Sequence, residues 1–593
     1  MTRRRALARL WPLVLALLAL FAGAPSRAAD PPVADRLHRF FDEEWEWDLR
    51  EAPENATLLG DRRFDDRLTD LSAEAHARRQ AHLRERLTRA QAFDVAALGE
   101  QDRLSLELFV TVAQRDVDLG RFPLERLALS QHGGPHRDLP TLAVVPRFTS
   151  GRQLRDWVQR LRAVPRYVDQ TIALLEAGRK SGWVAAREPL RDVVASIRAA
   201  RASTPERSVF FTPCKSAEGV PPAELKAISA EAAAAIRGLV DPAFEKLAAY
   251  VERTYAPSLR AEPGVWALPD GAAYYEACIR AHTTTARTAD EIHALGLAEV
   301  RRIREAMEAV IRGAGFTGGR TAWNEMLRTD PRFFYQDGAQ LLVAYRDIAK
   351  RIDGGLPQLF GRLPRLPYGV IETPAFEAPS STTAYYRPGS VEDGRAGNFV
   401  ANTWKPETRP RWEMEALTLH EAVPGHHLQI ALQQELTELP RFRREAEFTA
   451  FVEGWGLYAE SLGPALGMFA DPYSKYGQLT YEMWRAVRLV VDTGLHHERW
   501  TRQRAIDYFL ENTAKTRHDI EVEVDRYIVW PGQALAYKLG ELELKRLRAL
   551  AEKELGARFD VRRFHDAVLG AGALPLDLLE RRIRAFVQAE RAR

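Results

Sequence analysis

The sequence predicts a mostly α-helical protein interrupted by one small β-sheet, and three observations carry that prediction. Long stretches rich in Ala, Leu, Arg and Glu repeat their apolar residues at the interval of a helix. One stretch, residues 356–410, breaks the interval with recurring prolines, clustered glycines and a rise in aromatic and β-branched residues. The chain has 593 residues, more than one simple core organises, so a large bilobed unit or two to three sub-domains is expected.

Taken in order, residues 74–91, 152–176, 188–202 and 222–253 read as amphipathic helices. Residues 288–311 begin with Thr288 at the N-cap and Glu291 three positions on, where each side chain can satisfy the other's backbone N–H. Further helices are expected at 411–435, 444–461, 475–497, 501–512 and 533–554. Within the irregular stretch, 381–386 and 397–403 read as two short strands joined by a turn at Asp393-Gly394. Such a sheet beside a ligand-bearing helix suits a peptide cleft, because an edge strand can pair with an extended chain. A plain connecting hairpin is the alternative. Asn402, at the end of the second strand, is a candidate substrate contact.

Charge and composition exclude some classes. The 84 basic and 81 acidic residues leave a net charge of +3, which gives no electrostatic case for nucleic acid. At the N-terminus, Arg3, Arg4 and Arg5 precede an apolar run over 10–22, and Ser26 and Ala28 place small residues before a cut after Ala28. This is the order of a secretory signal, and the run is shorter than the roughly 20 residues of a membrane span. The expected layout is a signal over 1–28 and a mature unit over 29–593, exported to the periplasm or beyond with no stable span. Within that unit, 29–355 forms an N-terminal helical lobe, 356–410 the sheet region and 411–593 a metal-site lobe. Cys214 and Cys278 could pair after export, closing a loop of about sixty residues, or remain two buried thiols. Two cysteines cannot hold a metal alone, so a metal site here must use histidine and carboxylate.

The chemistry lies in Leu419-His420-Glu421-Ala422-Val423-Pro424-Gly425-His426-His427-Leu428-Gln429. A zinc hydrolase needs two neutral imidazoles on one ion, a third protein ligand and an open position. A regular helix supplies the pair four residues apart, whereas the second histidine here lies six or seven on. On an undistorted helix His426 would point about 120° away from His420, and His427 would sit about 10 Å along the axis. Pro424-Gly425 can distort the helix, and a bulge absorbing two residues brings His426 into place; absorbing three brings His427. We expect His426, with His427 as the alternative ligand or a group facing substrate. Glu421, beside His420, is the candidate general base.

Residues 451–460 form a second helix in which Glu453 and Glu460, seven apart, share a face among apolar neighbours. Glu453 as third metal ligand and Glu460 hydrogen-bonded to a ligating histidine would offset the cost of burying them. Salt bridges to Arg441, Arg443 or Arg444 are the alternative.

These residues resemble the DUF885 family of bacterial exported proteins, whose motif is His-Glu-Ala-x-Pro-Gly-His-His-Leu-Gln. The likeness spans most of the mature chain, including His282-Thr-Thr-Thr285, Glu291-Ile-His293, Gly296, Asp492-Thr-Gly-Leu-His496 and Trp530-Pro-Gly-Gln-Ala-Leu-Ala-Tyr537. A looser likeness, to thimet-oligopeptidase-like and angiotensin-converting-enzyme-like zinc peptidases, rests on the His420-Glu421 helix, Phe451-Val452-Glu453 and Gly532-Gln533 before Tyr537. It implies a bilobed, neurolysin-like fold with a deep groove, one zinc ion, and hydrolysis of peptide bonds in short peptides in the cell envelope. The alternatives are a zinc amidase or carboxypeptidase on cell-wall or other amides, and a non-catalytic periplasmic binding protein. Tyr537 is the candidate oxyanion donor, since Pro531-Gly532 can turn the chain into a cleft. Tyr527, Arg526 and His496 are further candidates for the same space.

Overall fold

A computed structural model describes residues 32–593, apart from 216, 376, 377, 379, 380 and 391–393. The signal-like segment 1–28 lies outside the described residues, as does Asp393 of the expected turn. The chain is predominantly helical with one small three-stranded sheet, as the apolar interval predicts.

In the N-terminal half, Val33–Glu51, Ala73–Gln91 and Glu100–Leu119 gather around Phe40, Phe41, Leu106 and Phe109. A separate core forms where the 31-residue helix Gly151–Ser181 packs on Pro222–Ala235 and Asp241–Tyr250. The expected helix over 222–253 is continuous but contains two π turns, Ile236–Val240 and Val251–Tyr255. Each runs up to a proline, Pro242 and Pro257, whose missing N–H removes a bond from the regular ladder. The expected helix over 188–202 is instead a short turn, Glu188–Leu190, followed by Val193–Ala199.

The second half is built around Pro472–His496, buried at nearly every position from Tyr476 onward. It packs against Ala289–Gly313, whose N-terminus carries the full capping box: Thr288 N–H donates to Glu291 Oε2 (2.9 Å) and Glu291 N–H to Thr288 Oγ1 (3.2 Å). Thr449–Ser461 and Ala536–Leu555 cross in direct backbone contact, since a Cβ on Gly540 would lie 1.8 Å from the Ala450 carbonyl oxygen. Tyr537, at the start of the second of these helices, has its ring 6.5 Å from that of His420.

The sheet has strands β1 (Tyr368–Glu372), β2 (Ala384–Arg387) and β3 (Gly397–Ala401) in the order β1-β3-β2. The two expected strands pair antiparallel, with Tyr386 opposite Phe399. β1, which the sequence reading missed, pairs parallel with β3, placing Val370 opposite Phe399. Phe399, Val400 and Ala401 are fully buried, so the central strand anchors the sheet to the core that also holds the His420 helix. Cys214 and Cys278 are free, buried and in different cores, which settles against their pairing in this fold. Among the described residues, no helix is long and apolar enough to cross a membrane.

Candidate metal centre

The expected helix over 411–435 is two helices, Met414–Glu421 and His426–Gln434, separated by the loop 422–425. The extra residues are therefore taken up by a break, not by the bulge expected from spacing. Ala422 (ψ −113°) and Gly425 (ψ −128°) have left helical values, and the Val423–Pro424 peptide is cis. The physical reason lies in Pro424 and Gly425. Proline offers no N–H to continue the ladder. A Cβ at 425 would lie 1.9 Å from the His420 carbonyl oxygen, so the chain folds back onto the first helix only through glycine. Trp455 Nε1 donates to the Pro424 carbonyl (2.8 Å), fixing the loop from the neighbouring helix.

This return sets the His420 and His426 rings edge to face, 4.7 Å apart. Glu453 Oε2 lies 3.6 Å from His420 Nε2 and 3.5 Å from His426 Nε2, and one ligand atom from each residue falls within 4.8 Å of the others. Metal–ligand bonds of about 2.0–2.2 Å at tetrahedral angles place neighbouring ligand atoms about 3.3–3.6 Å apart, so the triad has the right span for zinc. Glu453 Oε2 is buried and accepts no hydrogen bond among the described residues. Glu460 Oε1 lies 2.8 Å from His420 Nδ1, a bond that holds the proton there and leaves the Nε2 lone pair toward Glu453. The two carboxylates seven apart thus bracket one imidazole. The alternative partners do not engage them: Arg443 donates to Ser105 and to the Ala571 carbonyl. Gly456 makes room for the ring, because a Cβ there would lie 2.7 Å from His420 Cε1.

The three groups of the triad also act on one another electrostatically. Burial opposes a charged His420, but Glu453 and Glu460 outweigh it and push its pKa up to about 9. Burial likewise opposes a charged Glu453, yet His420 and His426 hold its carboxyl well below the usual range. A divalent ion among these three atoms would satisfy the same field without a proton, so the donor set fits zinc.

Glu421 ends the first helix with Oε2 4.0 Å from His426 Nε2, beside the triad but outside it. Tyr537 stacks its ring near His420 (centroids 6.5 Å, 15°), and its hydroxyl accepts from Arg526 Nη2 at 3.3 Å. Arg526 also donates to Gln533 Oε1 (2.7 Å) and Glu523 Oε1 (3.3 Å).

Four further candidate residues lie outside the triad, each with its own partners. His427 lies outside the triad: its Nε2–H donates to the Leu366 carbonyl (3.1 Å) and its Nδ1 accepts from the Tyr386 hydroxyl (3.0 Å), which ties the sheet to the second helix. Burial pushes it down to about 4 and keeps it neutral. His496 is spent on backbone, accepting from Val265 N–H (3.1 Å) and donating to the Tyr527 carbonyl (3.0 Å). The Tyr527 hydroxyl donates to Glu523 (2.8 Å) and accepts from Arg488 Nε (2.9 Å). Asn402 is buried, donating to the Ala378 carbonyl (2.8 Å) and accepting from Trp404 N–H (3.1 Å), and so shapes its loop instead of facing substrate.

The sequence reading missed the support behind Tyr537. Arg488 lies over the Tyr537 ring at 4.3 Å and pairs with Glu523 at 3.0 Å. Although burial favours its neutral form, Arg526 and Arg488 pull Glu523 down to about 2. One turn further, Asp492 accepts from Tyr275 (2.6 Å) and from Gly532 N–H (3.1 Å). Asp492 and His496 thereby hold the Arg526–Tyr537 segment from behind. The available signal was a polar stripe, Arg485, Arg488, Asp492 and His496, recurring at helical interval through an otherwise apolar helix.

A family model described as "Bacterial protein of unknown function (DUF885)" matches residues 53–583. No curated protein matches the chain. Among solved structures, a candidate lipoprotein of Colwellia psychrerythraea superposes with a TM-score of 0.88 at 27% identity, over 94% of this chain and 99% of that one. A candidate lipoprotein of unknown function from Shewanella oneidensis superposes at 0.70 and 17% identity, over 92% of this chain and 99% of that one, and shares the fold. The looser likeness to thimet-oligopeptidase-type peptidases rests on residues alone.

Proposed function

Because the chain belongs to the DUF885 family, which carries no assigned activity, its chemistry has to be read from its own residues, and we propose that it is a zinc-dependent hydrolase of peptide bonds in short peptides. The observation that carries this reading is the convergence of His420 Nε2, His426 Nε2 and Glu453 Oε2 on one point with Glu421 beside it.

A zinc ion held by that triad would supply Lewis-acid polarisation of a carbonyl and acidify a water molecule. The chain's own groups then divide the work. Glu421, outside the ligand set, accepts a proton from the attacking water at its carboxylate and passes it to the leaving nitrogen. The water oxygen joins the carbonyl carbon, the C–N bond breaks, and the products are a carboxylate and a protonated amine. Tyr537 donates its hydroxyl hydrogen to the developing oxyanion, and Arg526 adds positive charge behind it. A binding protein has no use for an unliganded carboxylate beside the metal triad, which favours catalysis over mere capture. Export is part of the reading: the pattern over 1–28 is that of a secretory signal, and both structural relatives are described as candidate lipoproteins.

The test is turnover of a quenched fluorescent library of short peptides, after stripping with chelator and after adding zinc back. We expect cleavage only with metal. Cleavage that survives chelation, or none under either condition, contradicts the proposal.

A further inference from the structure

The pairing of the sheet leaves one edge open beside the metal centre. Asn402 N–H donates to the Thr383 carbonyl (3.0 Å), so Thr383, Tyr385 and Arg387 turn their backbone N–H and C=O groups toward β3. Ala384 and Tyr386, between them, turn theirs outward. The far side of β3 agrees. Gly397 N–H donates to the Pro367 carbonyl (3.2 Å) and Thr373 N–H to the Ala401 carbonyl (2.9 Å), so the alternate residues of the central strand face β1. β2 has no second strand beside it among the described residues, which leaves Ala384 N–H and both backbone groups of Tyr386 without a backbone partner there. The Ala384 carbonyl accepts from Thr382 Oγ1 (3.1 Å). The open length is short. Pro388, next in the alternation, has no N–H, and its carbonyl accepts from Arg395 Nη1 (2.6 Å). What remains is 384–386, about 7 Å of strand. That stretch adjoins the metal site, since the Tyr386 ring lies 6.5 Å from the His426 ring. Thr382 and Tyr385 line a cavity of about 420 Å³ that Trp530 and Arg526 also line, and Arg526 reaches the Tyr537 hydroxyl at 3.3 Å.

We propose that the 384–386 edge takes the backbone of an extended peptide as a fourth strand, about three residues long, and so presents the adjoining peptide bond to the metal centre. The cleavage rests on the hydrolase reading above; the strand pairing does not. An extended chain carries N–H and C=O groups at the spacing of an edge strand whatever its side chains, so this edge selects peptides by their backbone. The cavity beside it lies in the size range of small-ligand sites, about 300–1,000 Å³. Pro388 stops the pairing after Tyr386, which confines the bound stretch to a few residues and keeps the edge from recruiting the sheet of another chain. A ligand residue that lacks an N–H, proline above all, is excluded where that N–H would meet the Tyr386 carbonyl.

The test is calorimetric binding to the zinc-loaded Glu421→Gln protein, which removes turnover. The probe is a tetrapeptide of alanine and phenylalanine blocked at both ends, compared with versions in which one amide at a time is replaced by an ester. Each ester removes a single N–H and adds no bulk. We expect the parent to bind and the loss to alternate along the chain: about three- to tenfold where the N–H faced the strand, as for one hydrogen bond, and little at the positions between. Proline at a sensitive position should abolish binding. Equal loss at consecutive positions, no loss anywhere, tolerance of proline at every position, or no binding of the parent overturns the pairing, and all of these compare ligands on one protein. Alternating loss with no cleavage of the parent by zinc-loaded wild-type protein keeps the pairing but overturns the hydrolase reading.

Discussion

Glu421 and His420 are neighbours on one helix turn, yet their surroundings give them different roles. His420 is clamped between Glu453 and Glu460, whereas Glu421 stands 4.0 Å from His426 with some solvent access. Glu421→Gln should therefore retain about one zinc per chain and lose at least about a hundredfold in turnover; near-wild-type turnover in the zinc-loaded variant removes the base assignment. Tyr537→Phe should lower kcat by about one to three orders of magnitude with KM little changed, because the donated bond strengthens in the transition state. A raised KM at constant kcat would move Tyr537 to substrate binding. Asp492 carries a pH signature. Burial pushes its carboxyl up to about 7 despite bonds from Tyr275 and Gly532, against an unfolded value near 3.9. Between about pH 4 and 7 the folded state holds the proton that the unfolded state has released, so this group's stabilising contribution is full below pH 4 and fades as pH rises through 7. Asp492→Asn keeps an acceptor for Gly532 and removes the titration. Its melting temperature should fall less steeply than that of wild type across pH 4 to 7; an identical slope would contradict the account.

At the scale of elements, the site depends on where side chains are missing. Gly456 lets the His420 ring lie against the Glu453 helix, and Gly540 lets the Tyr537 helix cross it. Gly456→Ala puts a methyl 2.7 Å from the ring, and the imidazole has to turn away from Glu453. We expect zinc affinity to fall by about tenfold or more while the helical spectrum is kept, since the helix itself favours alanine. Unchanged affinity would mean that the ring finds room by a shift of the helix. The same elements show what the sequence disclosed. Glu453 and Glu460 were legible because seven residues return to one helix face, and both meet His420 as that spacing requires. The break at 422–425 was not, because spacing alone treats Pro424-Gly425 as a distortion of one helix instead of a junction between two. β1 was equally hidden: its parallel partner lies across an intervening strand and loop, and no local turn announces it.

At the scale of the molecule, the mostly helical class followed from apolar periodicity, while the buried polar residues escaped it. Pro472–His496 is enclosed on all sides, so its polar stripe meets protein instead of water, and Arg488 and Asp492 within it carry the support of Tyr537. His427 and His496 looked like site residues because histidine is the commonest metal ligand; in the fold both nitrogens of each are committed to other partners. The centre therefore joins three distant stretches, the His420–His426 break, the Glu453 helix and the Arg526–Tyr537 turn, held by the central helix. The most direct test is zinc stoichiometry by mass spectrometry after stripping and reconstitution, on wild type, His426→Ala and His427→Ala. The account predicts about one zinc per chain in wild type and His427→Ala and none in His426→Ala; no zinc in wild type, or loss only in His427→Ala, would contradict it.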